Sequence, residues 1–158
     1  MSYLALGLKR FKKILTSPIT FVSTANAAYF CNAKVKFIDI DRNNLIMDPK
    51  KVEKELKLDP SIEIVVPILF GGASEGIEKI AKIAKAYGKH VIEDAAHGLG
   101  GNYIGGEKIG SCIYSDCTVF SLHPVKSIAA GEGGVITTNS QEIYKKLLRL
   151  RSHGINKL

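Results

Sequence analysis

The sequence predicts an α/β domain of three layers, a mostly parallel sheet flanked by helices. Strand-like and helix-like stretches alternate along the chain, the order that builds a parallel sheet with helices packed on its faces. Ile62 to Leu69 is a continuous apolar run, the mark of a strand buried on both faces. At 158 residues, with neither an internal repeat nor a linker, the chain is one domain by length.

The elements follow in order. Leu4, Leu6, Leu8 and Phe11 read as a short helix or helix end with a basic face, broken around Gly7, and Ile14-Leu15 as a brief strand. Ser17-Pro18 turns the chain, and 20–32 has the small residues of an N-capped helix. Lys34 to Ile40 alternates and is β-branched, which predicts a strand. Asp48-Pro49 opens a helix with proline at its first position, running to about Leu58. After the strand at Ile62 and the break at Gly71-Gly72, Ile77, Ile80, Ala81, Ala84 and Tyr87 fall at helical spacing and stop at Gly88. His90 to Glu93, Asp116 to Leu122 and Gly134 to Thr138 are three more strands, and a glycine-rich loop, 98–110, follows the first of them. Gln141 to Arg151 is a closing helix with Ile143, Leu147 and Leu150 on one face.

Composition narrows the function classes. Hydrophobic content of 46% against 23% charged residues is that of a folded globular chain rather than a disordered one. No apolar run approaches the length of a membrane span of about 20 residues, and Met1 to Lys13 lacks a signal core with a small-residue cleavage site, so the expected location is the cytoplasm. The three cysteines, Cys31, Cys112 and Cys117, form no CxxC pair, and the four histidines lack metal-ligand spacing, so neither a disulfide framework nor a metal centre is expected. The net charge of +7 invites a nucleic-acid reading. The basic residues gather at the two ends, however, in stretches read as helices with a solvated face, and no aromatic-interleaved motif accompanies them. An anionic small molecule suits the same charge.

The glycine fingerprint of a dinucleotide site is absent, since Gly98-Leu99-Gly100 meets Tyr103 where a third glycine belongs. Chemistry points instead to two strand ends. Asp94 closes one strand, and Lys126 follows the strand ending at Leu122 after the turn His123-Pro124-Val125. In an open parallel sheet the carboxyl ends of strands share one edge, where ligands bind. A lysine in a dry pocket can attack a carbonyl carbon, and a carboxylate beside a pyridine nitrogen keeps that ring protonated. Lysine with aspartate is the minimum set for a pyridoxal-phosphate enzyme; the plain alternative is a surface lysine after a proline turn.

Further blocks accompany that pair. They are 17–27 (SPITFVSTANA), 37–41 (FIDID), 93–97 (EDAAH), 120–126 (FSLHPVK), 131–138 (GEGGVITT) and 151–155 (RSHGI). In these blocks, in this order, the chain resembles the DegT/StrS-type sugar aminotransferases over nearly its whole length. The resemblance implies a fold-type I pyridoxal-phosphate domain, and it assigns roles block by block. Lys126 matches the lysine that bonds to the cofactor and moves the substrate proton, and Asp94 the partner of the pyridine nitrogen. Ser121 matches a phosphate-binding hydroxyl, with a satisfied strand-end serine as its structural alternative. Phe21 matches the aromatic that stacks on the ring, or is a core Phe in the first turn of a helix. His97 matches a position near the ring, or caps a loop. Thr24 and Asn26 are cofactor-side candidates or small polar helix residues. His123 and Glu132 are assigned only a turn-shaping part, and Arg151 and His153 fall in a block similar to a substrate-side loop.

The same resemblance implies a reaction, transfer of an amino group from glutamate to a nucleotide-linked keto sugar in amino-sugar or polysaccharide biosynthesis, with no metal and no membrane. It implies a homodimer with sites at the interface. It further implies that residues 1–158 are part of a large domain, with an upstream phosphate-binding turn and a smaller C-terminal domain lying outside them. Two other readings stand beside it: a catalytically inactive remnant serving as a binding module, and a basic nucleic-acid-binding domain.

Overall fold

The computed structural model describes residues 1–155. Six strands form one sheet: β1 (Lys13–Thr16), β2 (Lys34–Phe37), β3 (Ile62–Val66), β4 (His90–Asp94), β5 (Cys117–Ser121) and β6 (Gly134–Thr137). Their order is β2-β1-β3-β4-β5-β6, parallel throughout except for β6, which runs antiparallel to β5. The helices are α1 (Ser2–Ala5), α2 (Ser23–Phe30), α3 (Pro49–Leu58), α4 (Ile77–Ala86) and α5 (Gln141–Arg151).

Each face of the sheet is covered by its own helices. Val52 and Leu56 of α3 and Ile77 and Ile80 of α4 pack on Leu15, Val65 and Val91. On the opposite face Tyr3 of α1, Ala28 of α2 and Ile143 and Leu147 of α5 pack on Ile14, Ile64, Val66 and Ile92. The expected three layers are therefore present. Burying one such isoleucine or valine side chain contributes about 1.5–3 kcal/mol, and β3 sends Val65 to one face and Ile64 and Val66 to the other. That two-sided burial is what its unbroken apolar run encodes.

Cap chemistry fixes the helix starts. Asp48 accepts the Lys50 N–H at 2.9 Å, with Pro49 as first residue of α3, and Ser140 accepts the Ile143 N–H at 3.3 Å to open α5. Gly88 ends the α4 segment at φ +64°, as a glycine can.

Four expectations are corrected. The strand from Ile62 stops at Val66 because Pro67 has no N–H to continue the ladder. The chain nevertheless stays beside β4, the Asp94 N–H donating to the Pro67 carbonyl and the Leu69 N–H to the Asp94 carbonyl. The strand from Lys34 stops at Phe37, and Ile40 pairs instead with Met47. The basic run 9–13 is not helical: Phe11 takes φ +65°, and Lys13 already belongs to β1. The helix expected from Thr20 begins at Ser23, and no side chain caps it.

Candidate active site

The carboxyl ends of β1, β3, β4 and β5 lie along one edge, and Asp94, His97, Ser121 and Lys126 lie at or just beyond two of them. The backbone of Asp94 is fixed between neighbours. Its N–H and C=O bond to the chain after β3, and the Ala95 N–H donates to the Val119 carbonyl of β5 at 2.9 Å. The side chain is held as firmly. Thr24 Oγ1 donates to Asp94 Oδ2 at 2.9 Å, and the Ala96 N–H donates to Oδ1 at 3.2 Å.

Asp94 and Thr24 border a cavity of about 390 Å³ whose walls include Tyr3, Val66, Ile92, Val119 and Ile136. Its size lies within the range of small-molecule sites, and its balance of apolar wall and few polar groups is theirs as well. Burial, and then the charge of Asp94, push the Tyr3 phenol well above its ordinary value. Tyr3 therefore acts as a donor, and its Oη gives a hydrogen bond to the Thr24 carbonyl at 3.0 Å.

Lys126 is placed by the β5–β6 hairpin. The Leu122 N–H donates to the Gly133 carbonyl and the Ala130 N–H to the Leu122 carbonyl, both at 2.9 Å, closing the loop. Inside it the Lys126 N–H donates to the His123 carbonyl, and Ser121 Oγ accepts the His123 N–H at 3.3 Å. Gly134 is required where the hairpin reopens, since a Cβ there would lie 2.9 Å from the Phe120 carbonyl oxygen.

Lys126 then reaches across to the β4 loop, where its Nζ stands 3.0 Å from His97 Nε2. The imidazole is cradled by the turn Phe70–Gly72. The Gly71 N–H donates to Nδ1 at 3.3 Å, and the Phe70 ring meets it edge-on with centroids 5.8 Å apart. Nδ1 is thus occupied by the Gly71 N–H, which turns Nε2 toward Lys126 Nζ. Gly72 makes the approach possible: it has φ +84°, and a Cβ would stand 3.0 Å from the His97 carbonyl oxygen.

The structure therefore brings Lys126 to His97, and Asp94 to Thr24, at neighbouring strand ends. Ser121 ends β5 two residues beyond Val119, the residue paired with Asp94. Phe21 precedes α2 rather than lying in its first turn, and it is 75% exposed. The core-packing alternative for Phe21 is thereby excluded, since its ring packs in neither apolar cluster. His123 Nε2 stands 3.7 Å from Glu132 Oε1, a contact within the turn itself. Arg151 and His153 lie at the far end of α5, on a helix packed against α1, and are not gathered with the others.

Thr24, a cofactor-side candidate with a small polar helix residue as its alternative, is brought to Asp94, and two further residues lie outside the sequence-derived candidates. Gly71 acts through its backbone, which no side-chain pattern reports. Glu93 faces the opposite side of β4, fully buried, where Tyr103 Oη and Thr118 Oγ1 donate to its Oε2 at 2.6 and 3.1 Å.

The arrangement can present an amine to an electrophilic carbon, with an imidazole beside it to hold or pass a proton. A carboxylate on the next strand can hold a cationic ring.

Known proteins carry the same framework. The sequence profile of the DegT/DnrJ/EryC1/StrS aminotransferase family matches residues 1–158. A Campylobacter jejuni protein named UDP-4-amino-4,6-dideoxy-N-acetyl-beta-L-altrosamine transaminase is 45% identical over 158 residues, which cover 99% of this chain and 41% of that protein. The structure of PseC from Helicobacter pylori, an aminotransferase involved in the biosynthesis of pseudoaminic acid, superposes with a TM-score of 0.88 at 30% identity, covering 99% of this chain and 42% of PseC. NtdA from Bacillus subtilis, crystallised with bound cofactor PMP, superposes with a TM-score of 0.83 at 29% identity, covering 94% of this chain and 32% of NtdA. The chain thus spans well under half the length of each.

Proposed function

We propose, from the premise that this chain belongs to the DegT/DnrJ/EryC1/StrS aminotransferase family, that it is the cofactor-binding core of a pyridoxal-phosphate aminotransferase. Its reaction is transfer of an amino group from glutamate to a nucleotide-linked keto sugar. The observation that carries this reading is the pairing of Lys126 Nζ with His97 Nε2 at 3.0 Å beside a strand-end Asp94 held by Thr24. The transaminase name of the Campylobacter relative supports the sugar substrate, and the PMP bound to NtdA supports the cofactor.

The residues fit that cofactor. Asp94 lies at the mouth of an apolar-walled cavity, and Lys126 is half-buried on the adjoining loop. When bound, pyridoxal phosphate supplies an aldehyde carbon for the amino group and an aromatic ring that draws off electron density.

Five side chains of this segment have a part. Lys126 Nζ would be the nucleophile, and the same nitrogen, held on its hairpin, would take and return the substrate proton. His97 Nε2, 3.0 Å from Nζ, would hold or pass a proton beside it. Asp94 would hold the ring nitrogen and keep it protonated, because opposite charges favour each other's ionised form. Ser121 Oγ accepts from His123 and keeps its own proton to donate to a phosphate oxygen. Phe21 offers an open aromatic face for stacking.

The 158 residues are read as part of a large domain. The remaining site groups come from outside this segment and from a second subunit of a homodimer. The proposed setting is the cytoplasm.

Borohydride reduction of the intact, cofactor-loaded protein tests the lysine. Peptide mass mapping is expected to find the reduced adduct on Lys126 and to lose it in Lys126→Ala. An adduct on another lysine, persisting in Lys126→Ala, overturns the assignment.

A further inference from the structure

Asp94 is gripped by a chain of hydroxyls that the reaction described above leaves unexplained. Thr24 Oγ1 lies 2.9 Å from Asp94 Oδ2 and 2.8 Å from Thr20 Oγ1. A carboxylate only accepts, so Thr24 spends its one proton on Asp94, and the contact with Thr20 must then be a donation from Thr20. The other acceptor open to Thr20, the Phe21 carbonyl, is farther away at 3.3 Å. The direction is therefore fixed: Thr20 to Thr24 to Asp94.

A threonine in a helix ordinarily returns its hydroxyl to a carbonyl three or four residues back. Thr24 instead sends it to a carboxylate 70 residues away in sequence. It does so from a rigid seat, only 7% exposed and tied through its carbonyl to Tyr3 Oη. The Ala96 N–H occupies the other carboxylate oxygen. With one donor on each oxygen, the carboxylate plane cannot rotate without breaking a bond, and a lone pair on Oδ1 stays free for a ligand. Hydroxyls in series polarise one another, so the terminal bond to the charge is strengthened.

We infer that Thr24, with Thr20 behind it, is a positioning residue that locks the Asp94 carboxylate toward the ring nitrogen of the cofactor. The ligand's identity rests on the reading of the previous subsection; the clamp itself is a matter of hydrogen-bond direction. The Thr24 hydroxyl gives its one proton to Asp94, so its part is played through that carboxylate.

The test uses the full-length protein stripped of cofactor, titrated with pyridoxamine 5'-phosphate and followed by absorbance and fluorescence. Thr24→Val keeps the shape and removes the hydroxyl, and it is expected to weaken binding by about ten- to a hundredfold, the size of one hydrogen bond to a charged group. Thr24→Ser keeps the hydroxyl and should bind within about threefold of the parent, while Thr20→Val, which removes only the second donor, should lose about threefold to tenfold. The pH dependence of the bound cofactor's spectrum should shift in Thr24→Val and return in Thr24→Ser; a merely structural threonine would alter the melting temperature and leave that profile in place. Parent-like affinity and spectrum in Thr24→Val, or failure of Thr24→Ser to restore them, overturns the inference while leaving the cofactor reading intact. A parent protein that binds no pyridoxamine 5'-phosphate overturns both.

Discussion

Replacing Tyr103 by Phe removes one hydrogen bond from the buried face of β4, directly behind the strand end that carries Asp94. Tyr103 Oη donates to Glu93 Oε2 at 2.6 Å, Thr118 Oγ1 donates to the same atom at 3.1 Å, and Glu93 Oε1 has no partner among the described residues. A hydrogen bond contributes about 0.5–1.5 kcal/mol between neutral groups and about 1.5–3 kcal/mol to a charged one. Burial lifts the Glu93 carboxyl above its ordinary value, while the hydroxyls of Tyr103, Thr118 and Ser115 pull it back down. The acceptor therefore lies between the two cases, and Tyr103→Phe should cost about 2 kcal/mol at neutral pH. With a urea slope of about 1–3 kcal/mol per molar, the unfolding midpoint should fall by about 1 M at unchanged slope. The pH dependence has a definite sign. A carboxyl whose folded value lies above its unfolded value contributes stability that is complete below the unfolded value and is lost as the pH rises through the folded one. Without Tyr103 the folded value climbs further, so that loss grows. Urea unfolding followed by circular dichroism at pH 4 and pH 7 should give a wider gap between variant and parent at the higher pH. An equal gap at both, or one below about 0.5 kcal/mol at pH 7, would refute the buried carboxyl as the acceptor that matters.

Other consequences follow from single contacts. Gly110 has φ +97°, and a Cβ there would lie 2.7 Å from Phe120 Cζ. Gly110→Ala should therefore destabilise by about 2–5 kcal/mol and lower the melting temperature by about 10 °C, and a parent-like melt would show that the loop yields freely. A hydrogen bond from the Lys13 ammonium at 2.6 Å, with help from Ser61, holds the Asp59 carboxyl at about 2. Its stabilising effect is present above the ordinary carboxylate range and is lost as the pH falls through about 2, so Asp59→Asn should flatten the acid limb of melting temperature between about pH 4 and pH 2; an unaltered limb would refute the coupling. At the active edge, His97→Ala should slow the reaction of Lys126 with pyridoxal phosphate, read by stopped-flow absorbance, by about tenfold, and His97→Gln, which keeps a donor, should recover most of it. Equal rates in the parent and His97→Ala would remove His97 from the site.

What could be read from the sequence was whatever local chemistry decides. The bounds of α3 and α5 were legible because Asp48-Pro49 and Ser140 are cap signals that act within a few residues. Lys126 and Asp94 were legible as candidates because both follow strand ends in a parallel sheet, and the blocks resembling a known family singled them out from other strand-end residues. What escaped is contact between partners far along the chain, of Gly71 with His97 across 26 residues and of Thr24 with Asp94 across 70. The run 9–13 misled for a related reason, since charge at helical spacing gave no sign that Phe11 takes a left-handed conformation. The start of α2 is the most instructive case. Thr20 has the chemistry of a helix cap, and a cap would have opened the helix there. Its hydroxyl instead lies 2.8 Å from that of Thr24, which holds Asp94, and the helix starts uncapped at Ser23. A cap would use the Thr20 oxygen as an acceptor, whereas the chain to Asp94 uses its proton, so the two roles do not compete; in this structure only the second is present, and the Thr20 hydroxyl serves the order of the active edge.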